Sequence, residues 1–231
     1  MEILYCDNHL LVAVKPCNMP SQADSSGDPD LLTELKKYIG ITYNKPGNVY
    51  LGLVHRLDRP AGGVMVFART SKAASRLSEQ FAAHSQGRRY LAVTRGTWSD
   101  ELHPVDWLLK GPDGMVRVVR EGTPGAKRAE LISRPLESRD GLTLTDVELM
   151  TGRAHQIRVQ HAHRGCPLWG DARYGNGKPG EQLALWAYAL TVKHPTKDER
   201  LTFVAPPPDS GIWRPFREAI AARTAAHART D

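Results

Sequence analysis

The spacing of apolar and polar positions changes period along the chain, and each change predicts an element. Residues 2–16, EILYCDNHLLVAVKP, hold two short apolar runs on either side of Asp7-Asn8, which predicts two strands joined by a turn. In residues 27–40, GDPDLLTELKKYIG, the positions Leu31, Leu32, Leu35, Tyr38 and Ile39 fall on one face of a helix. Asp28 is its expected N-cap, Pro29 its first helical residue and Gly40 its C′ residue. Residues 63–68, GVMVFA, read as an apolar strand, and the spacing of Ala73, Leu77 and Phe81 predicts an amphipathic helix from Thr70 to His84. RRYLAVTRG, residues 88–96, reads as a strand with Leu91 and Val93 on one face and Tyr90 on the other.

Residues 111–127 are rich in Gly and Pro and predict a loop or an irregular hairpin. GLTLTDVELM, residues 141–150, alternates as a strand does, and RAHQIRVQHAHRG, residues 153–165, reads as a helix closed by Gly165. APPPD, residues 205–209, is expected to end the compact part, with AIAARTAAHARTD as a terminal helix that frays. The boundaries that follow are a domain over 1–220 and a tail over 221–231. Strands outnumber helices and are joined by short links. The fold class is therefore α+β, a mixed and largely antiparallel sheet with flanking helices, and not a doubly wound alternation. No repeat of solenoid length is present.

Charge adds a partner class to this picture. Lys and Arg number 31 against 25 Asp and Glu, a net charge of +6 over 231 residues, which favours contact with a polyanion such as nucleic acid. The cysteines Cys6, Cys17 and Cys166 are scattered and form no CxxC pair, so a reducing environment is expected rather than a disulfide framework. The N-terminus lacks the pattern of a signal peptide and no apolar run has the length of a membrane span. A cytoplasmic protein without membrane contact, acting as a monomer, is the expectation.

The chemistry-bearing residues narrow it further. No GxxxxGK[ST] loop occurs, so P-loop nucleotide hydrolysis is not expected, and Gly62-Gly63 reads as backbone permissiveness where a strand begins. His155, His161 and His163 do not have zinc spacing, and on a helix His161 and His163 point about 200° apart. Hydrogen-bonded or RNA-facing histidines are preferred to metal ligands, and no metal is expected. Arg56, Arg59, Arg69, Lys72, Arg76, Arg88, Arg89 and Arg95 form one basic group, and Arg153, Arg158 and Arg164 a second. Arg69, Lys72 and Arg76 are read as a solvated helix face. Arg56 and Arg59 flank Asp58 in a turn before a buried strand, where guanidinium groups suit phosphates and can stack on a base.

HRLDRPAGGVMVFA, residues 55–68, resembles the HRLDxxTSGL signature of the RluA-type family of RNA pseudouridine synthases. The likeness continues in order through ILYCDNHLLVAVKP, RRYLAVTRG and ELMTGRAHQIRVQHAHRGCPLWGDARYG, the last resembling the family's GRTHQIR and GDxxYG segments, and it spans residues 2–204. Thr-Ser-Gly-Leu is replaced by Ala61-Gly62-Gly63-Val64, the Thr of GRTHQIR by Ala154, and a usual Leu-His-Ala by Leu185-Trp186-Ala187. The CNMPSQ stretch after Lys15-Pro16 is also atypical. An N-terminal S4 domain, carried by many members, is not expected here, so RNA affinity is expected from the catalytic domain alone.

The resemblance implies the pseudouridine synthase catalytic fold with a central active-site cleft, and isomerisation of uridine to pseudouridine within RNA, ribosomal or transfer. That reaction balances within one nucleotide and needs no cofactor. The resemblance assigns catalysis to Asp58, Tyr90 and Arg158. Asp58 attacks the sugar, adds to the base or assists deprotonation, and Arg158 is its charge partner, whose planar fork is expected to hold both oxygens. Tyr90 stacks near the flipped base or assists proton removal from C5; a phenol with pKa near 10 is a poor base, so stacking is preferred. His155, three positions before Arg158 on the predicted helix, either lines the site or is structural. Arg56 is expected to fill the space left by the flipped base, and Arg59 and Arg153 to contact phosphates. Trp186 is expected in an apolar wall. Two other classes remain open: an inactive RNA-binding or RNA-folding protein on this fold, and an unrelated hydrolase using His55 and Asp58 with a metal.

Overall fold

The two apolar runs around Asp7-Asn8 form strands β1 (Ile3–Cys6) and β2 (Leu10–Lys15), paired antiparallel in a computed structural model that describes residues 1–228. The Asp7 carboxylate closes their turn by accepting from the backbone N–H groups of His9 and Leu10, each at 2.7 Å. Helix α1 (Leu31–Thr42) buries Leu31, Leu35 and Ile39. Its N-cap is Asp30, accepting from the Thr33 N–H at 3.0 Å, and not the expected Asp28. Asp28 is drawn instead into an ion pair with Arg59. Gly40 lies inside the helix, which runs on for two residues and closes through the Tyr43 N–H on the Ile39 carbonyl.

The two-residue strand β3 (Gly52–Leu53) pairs with β4 (Gly62–Ala68), every residue of which is buried. Helix α2 (Ser71–Ala82) is capped by the Thr70 hydroxyl and packs Ala73 and Leu77 on the sheet. Strand β5 (Gly87–Arg95) has the expected faces: Tyr90 and Ala92 enter one core cluster, Leu91 and Val93 another. The Gly/Pro-rich stretch is a hairpin between β6 (Val105–Lys110) and β7 (Val116–Val119). The long β8 (Lys127–Arg139) pairs with β6 and with β9 (Leu142–Leu149). Helix α3 (Gln156–His163), strands β10 (Leu185–Lys193) and β11 (Arg200–Val204), and helix α4 (Arg217–Ala228) complete the chain. The strand order is β1-β2-β4-β10-β5-β9-β8-β6-β7, with β11 on β10, and among the described residues only the β4–β10 pair is parallel.

The compact part does not end at APPPD. Beyond it a 3₁₀ turn (Gly211–Phe216) buries Trp213 and Phe216 beside β10, and α4 buries Ile220 and Thr224. Arg223 reaches from α4 to the wholly buried Asp146, which also accepts from the Tyr188 hydroxyl at 3.0 Å. The expected tail thus falls partly on a helix held to the sheet, and residues 229–231 lie outside the described residues.

The parallel β4–β10 contact explains the glycine pair. At Gly63 φ is +121°, and a Cβ would stand 2.2 Å from the Ala187 carbonyl oxygen. At Gly62 a Cβ would stand 2.2 Å from a ring carbon of Trp186. Trp186 is buried in the apolar wall expected for it, and its indole N–H donates to the Ala205 carbonyl at 2.9 Å. Gly62 stands where the related motif has Ser, and Trp186 where it has His. The two departures are therefore one coupled exchange of volume across adjoining strands. Gly62→Ser alone is expected to destabilise by about 1–3 kcal/mol, the usual cost of overpacking. Adding Trp186→His is expected to recover part of it, so that urea midpoints of the single and double mutants are not additive. Additive losses would show the positions to be independent.

Candidate active site

Asp58 sits in the turn that leads into β4, and the turn is fastened from several sides. Ser21 Oγ accepts from the Leu57 N–H at 3.2 Å and donates to the Leu57 carbonyl at 3.0 Å. The Gln182 amide donates to the Pro60 carbonyl at 2.6 Å. Lys15, wholly buried, donates to the carbonyls of Arg59 (3.1 Å), Pro16 (2.9 Å) and Met19 (2.6 Å). Burial brings the Lys15 ammonium down to about 8, while the charge of Asp58 is among those holding it up. The Lys-Pro pair at the end of β2 thereby becomes a support for the Asp58 turn.

The partner comes from α3. That helix has no apolar stripe because residues 156–161 are all buried, and polar bonds hold it. Gln156 accepts from the Thr151 hydroxyl (2.8 Å) and the Arg153 N–H (2.9 Å), and donates to the Glu130 carbonyl (3.0 Å). Arg164 and Gln160 both reach Asp106 on β6. His161 is buried between the Ile157 carbonyl and Ser133, a structural histidine, while His163 is exposed. Arg158 Nη1 then lies 3.2 Å from Asp58 Oδ2, across a hundred residues of sequence.

The expected two-point grip on Asp58 is not what forms. The fork of Arg158 closes on Asp171, Nε to Oδ2 at 2.8 Å and Nη2 to Oδ1 at 2.7 Å, leaving Nη1 to meet Asp58. Asp171 is wholly buried and also accepts from the backbone N–H groups of Arg173 and Tyr174 at 3.0 Å. Burial alone would raise its pKa, but the Arg158 pair and these backbone donors outweigh that and hold the carboxyl below the usual range. Asp171 belongs to the GDxxYG-like segment and was missed as a site residue. In sequence it looks like a turn aspartate; its place thirteen residues after the arginine it orients carries no periodic signal.

His155 precedes α3 in the left-handed region, with φ +52°, and faces the site with Nε2 3.9 Å from Asp58 Oδ1. The Tyr174 hydroxyl accepts from the Val116 N–H at 3.0 Å and is hydrogen-bonded to His155 Nδ1 at 2.6 Å, which fixes the ring with Nε2 toward Asp58. Burial lowers the His155 pKa, so the ring is neutral near pH 7.

Two adjoining cavities of ≈ 90 and ≈ 520 Å³ share Arg56, Asp58, Arg88, Tyr90, Arg153 and His155. Tyr90 is buried, and burial raises its phenol pKa, which favours a packing ring over a base. Arg56 is exposed and has no ion pair or hydrogen bond among the described residues. Arg153 donates through Nε to the Arg128 carbonyl at 2.9 Å. Arg59 is bound by Asp28 and lies 3.7 Å from Asp24, so here it is matched by carboxylates.

Other basic residues stand apart from this cleft. Arg69 is not a solvated helix residue: it follows β4, donates to the Asp7 carbonyl and lies 4.6 Å over the Tyr43 ring. Arg76 donates to the Pro195 carbonyl, and Lys72 is exposed. His55 is unsuited to a hydrolase. Its Nε2 accepts from the Val66 N–H at 3.0 Å, its ring stacks on Phe81 at 4.5 Å, and burial pushes it down to about 3. Among the described residues no group of three His, Cys, Asp or Glu is placed to hold a metal, and no helix is long and apolar enough to cross a membrane.

Comparisons with known proteins identify the family. Residues 9–163 match the family model described as RNA pseudouridylate synthase. The chain is 33% identical over 215 residues to the RNA pseudouridine synthase YhcT of Bacillus subtilis, covering 90% of this chain and 69% of that protein. It is 32% identical over 236 residues to ribosomal large subunit pseudouridine synthase C of Escherichia coli, covering 96% and 70%. The fold is that of human RNA pseudouridylate synthase domain containing 4, with a TM-score of 0.74 at 23% identity over 97% of this chain and 93% of that one. The human domain containing 1 protein gives 0.69 at 21% identity over 94% of each chain. With more than half its length in the family model and two relatives above 30% identity, the chain belongs to the RNA pseudouridylate synthase family, enzymes that isomerise uridine to pseudouridine in RNA.

Proposed function

We propose that Asp58 is the nucleophile of this isomerisation and that the target uridine lies in large-subunit ribosomal RNA. The observation that carries the first part is the Asp58 carboxylate at a cavity mouth, 3.2 Å from a buried Arg158 whose other nitrogens are already committed to Asp171. Support for the second is the ribosomal large subunit named for the Escherichia coli relative. In the reaction the C1′–N1 bond breaks, C1′ joins C5, C5 loses its hydrogen and N1 takes up a proton. Arg158 orients the attacking oxygen, and His155 offers an N–H to the same carboxylate. Tyr90 packs against the uracil. Flipping the nucleotide out of its stack costs a few kcal/mol and is cheapest in a loop. Arg56, exposed beside Asp58, fills the space it leaves, and Arg153 and Arg59 meet phosphates, Arg59 by exchanging Asp28 for RNA. The catalytic domain, expected over residues 1–220, is taken to include the rest of α4, which packs on the sheet, and to act as a monomer in the cytoplasm.

The test is to map pseudouridines by carbodiimide and primer extension in a strain lacking the gene. One stop in large-subunit ribosomal RNA is expected to vanish and to return with the wild-type gene but not with Asp58→Asn. A vanished stop in transfer RNA would move the target. Return of the stop with Asp58→Asn would overturn the nucleophile assignment.

A further inference from the structure

Among the cleft cations without a carboxylate partner, Arg88 is the one with a guanidinium nitrogen buried and unpartnered. Alternation along β5 turns Arg89 to the opposite face, where it pairs with Glu148 at 2.9 Å and Asp146 at 3.4 Å. Arg88 and Tyr90 share the cavity face. The Arg88 Nε is buried with no hydrogen-bond partner, and Nη2 has the ring nitrogen of His84 at 3.4 Å. Among the described residues no carboxylate pairs with it, and the charge nearest in kind is another guanidinium, Arg153. Burial lowers the Arg88 pKa, as it does for a cation removed from water without an anion.

Space has nevertheless been made for this group. Gly152 does not have a positive φ, so its backbone does not require glycine. A Cβ there would stand 2.3 Å from Arg88 Nη1 and 3.3 Å from its Cζ. The guanidinium therefore lies across the backbone at 152, in space that a Cβ would take, while its charge is uncompensated. Desolvating a cation without a partner is unfavourable, and the imbalance is removed only when an anion enters. A uracil carbonyl brings a partial charge. A phosphodiester brings a full one, with two oxygens that match the guanidinium fork. Two residues along a strand separate Arg88 from Tyr90 by about 7 Å, the scale of a single nucleotide.

We propose that Arg88, with Arg153 beside it, receives the phosphodiester attached to the target uridine, and that Gly152 is glycine to leave room for that guanidinium. This rests on the reading of the cleft as the uridine site. The probe is total RNA from a strain lacking the gene, labelled with 5-tritiated uridine, and the readout is steady-state tritium release at several salt concentrations. Arg88→Gln is expected to raise KM by about 10- to 100-fold with little change in kcat. The slope of log kcat/KM against log salt is expected to become shallower by about 0.7, one phosphate contact on a single strand. Arg88→Lys keeps the charge and is expected to keep the slope while KM rises less. Gly152→Ala displaces the guanidinium and is expected to raise KM as Arg88→Gln does; it also serves as the independent route should Arg88→Gln not fold. Unchanged KM and salt slope in the folded variants, or a loss confined to kcat, would overturn the proposal. Asp58→Asn in the same assay tests the uridine-site reading separately: full release there moves the nucleophile, whereas the Arg88 and Gly152 effects stand or fall on their own salt slopes.

Discussion

Asp58→Asn is expected to fold, to bind RNA at least as tightly as the parent, and to lower tritium release from 5-tritiated uridine by about 10⁴-fold or more, the scale on which loss of a nucleophile acts. Folding survives because Asn is close to Asp in shape and because Asp58 is not what holds Arg158. Its side chain is 25% exposed and contributes one contact at 3.2 Å, whereas Asp171 makes two shorter ones. The turn itself is secured by Ser21, Lys15 and Gln182 through backbone carbonyls and N–H groups that the substitution does not touch. RNA affinity is maintained or rises because one negative charge is removed from a cleft that also carries Arg56, Arg88 and Arg153. Circular dichroism and filter binding establish the first two points. Release within ten-fold of the parent, in a folded protein, would place the nucleophile elsewhere.

Local signals carried well into this structure where the stabilising contacts are themselves local. The Asp7 turn, the Thr70 cap and the two faces of β5 are each settled by neighbours a few residues away. The expected cap Asp28 instead pairs with the distant Arg59, and Asp30, directly before the helix, caps it. Strand β8 was illegible because KRAELISRPLESR puts apolar residues on both faces, Leu131 on one and Ile132 and Leu136 on the other, and is broken by a register shift at Pro135–Glu137. Strand β10 is buried on both faces between β4 and β5, so LWAYALTVK has little alternation to read. The same division holds at the site. Asp58, Tyr90 and Arg158 were found through motif resemblance, Arg153 through the basic grouping and His155 through helix spacing, and the structure brings them around one cleft. Asp171 acts only through another side chain, and Arg88 was one cation among many. The signal that could have singled out Arg88 is its i, i+2 relation to Tyr90 on one strand.

The second large effect is expected at the Arg158–Asp171 pair. Because Asp171 grips two nitrogens of the guanidinium, the third is aimed at Asp58 by geometry as well as by charge. A lysine keeps the charge but cannot be held at two points while serving a third. Arg158→Lys is therefore expected to fold and to lower kcat by about 10²-fold, the cost of misplacing a reacting group by an ångström, with KM changed little. Arg158→Ala leaves Asp171 wholly buried without its counter-ion, and is expected to lose about 3–5 kcal/mol of stability besides activity. Asp171→Asn turns an amide N–H toward a guanidinium that has only donors, so Arg158 loosens and kcat falls in the same direction. In the Asp58→Asn background Arg158→Lys should add almost nothing, since the oxygen it orients is gone. The pair also has a pH signature. The Asp171 carboxyl lies below its ordinary value in the folded protein. Its stabilisation is present in full above about pH 4, the unfolded value, and is lost as pH falls through the depressed folded one. Urea midpoints of the parent should drop along that acid limb, and Asp171→Asn should lack its share of the drop. Parental turnover in both Arg158→Lys and Asp171→Asn would show that orientation through this pair does not matter, and would leave the Lys15 support of the Asp58 turn as the element that holds the carboxylate in place.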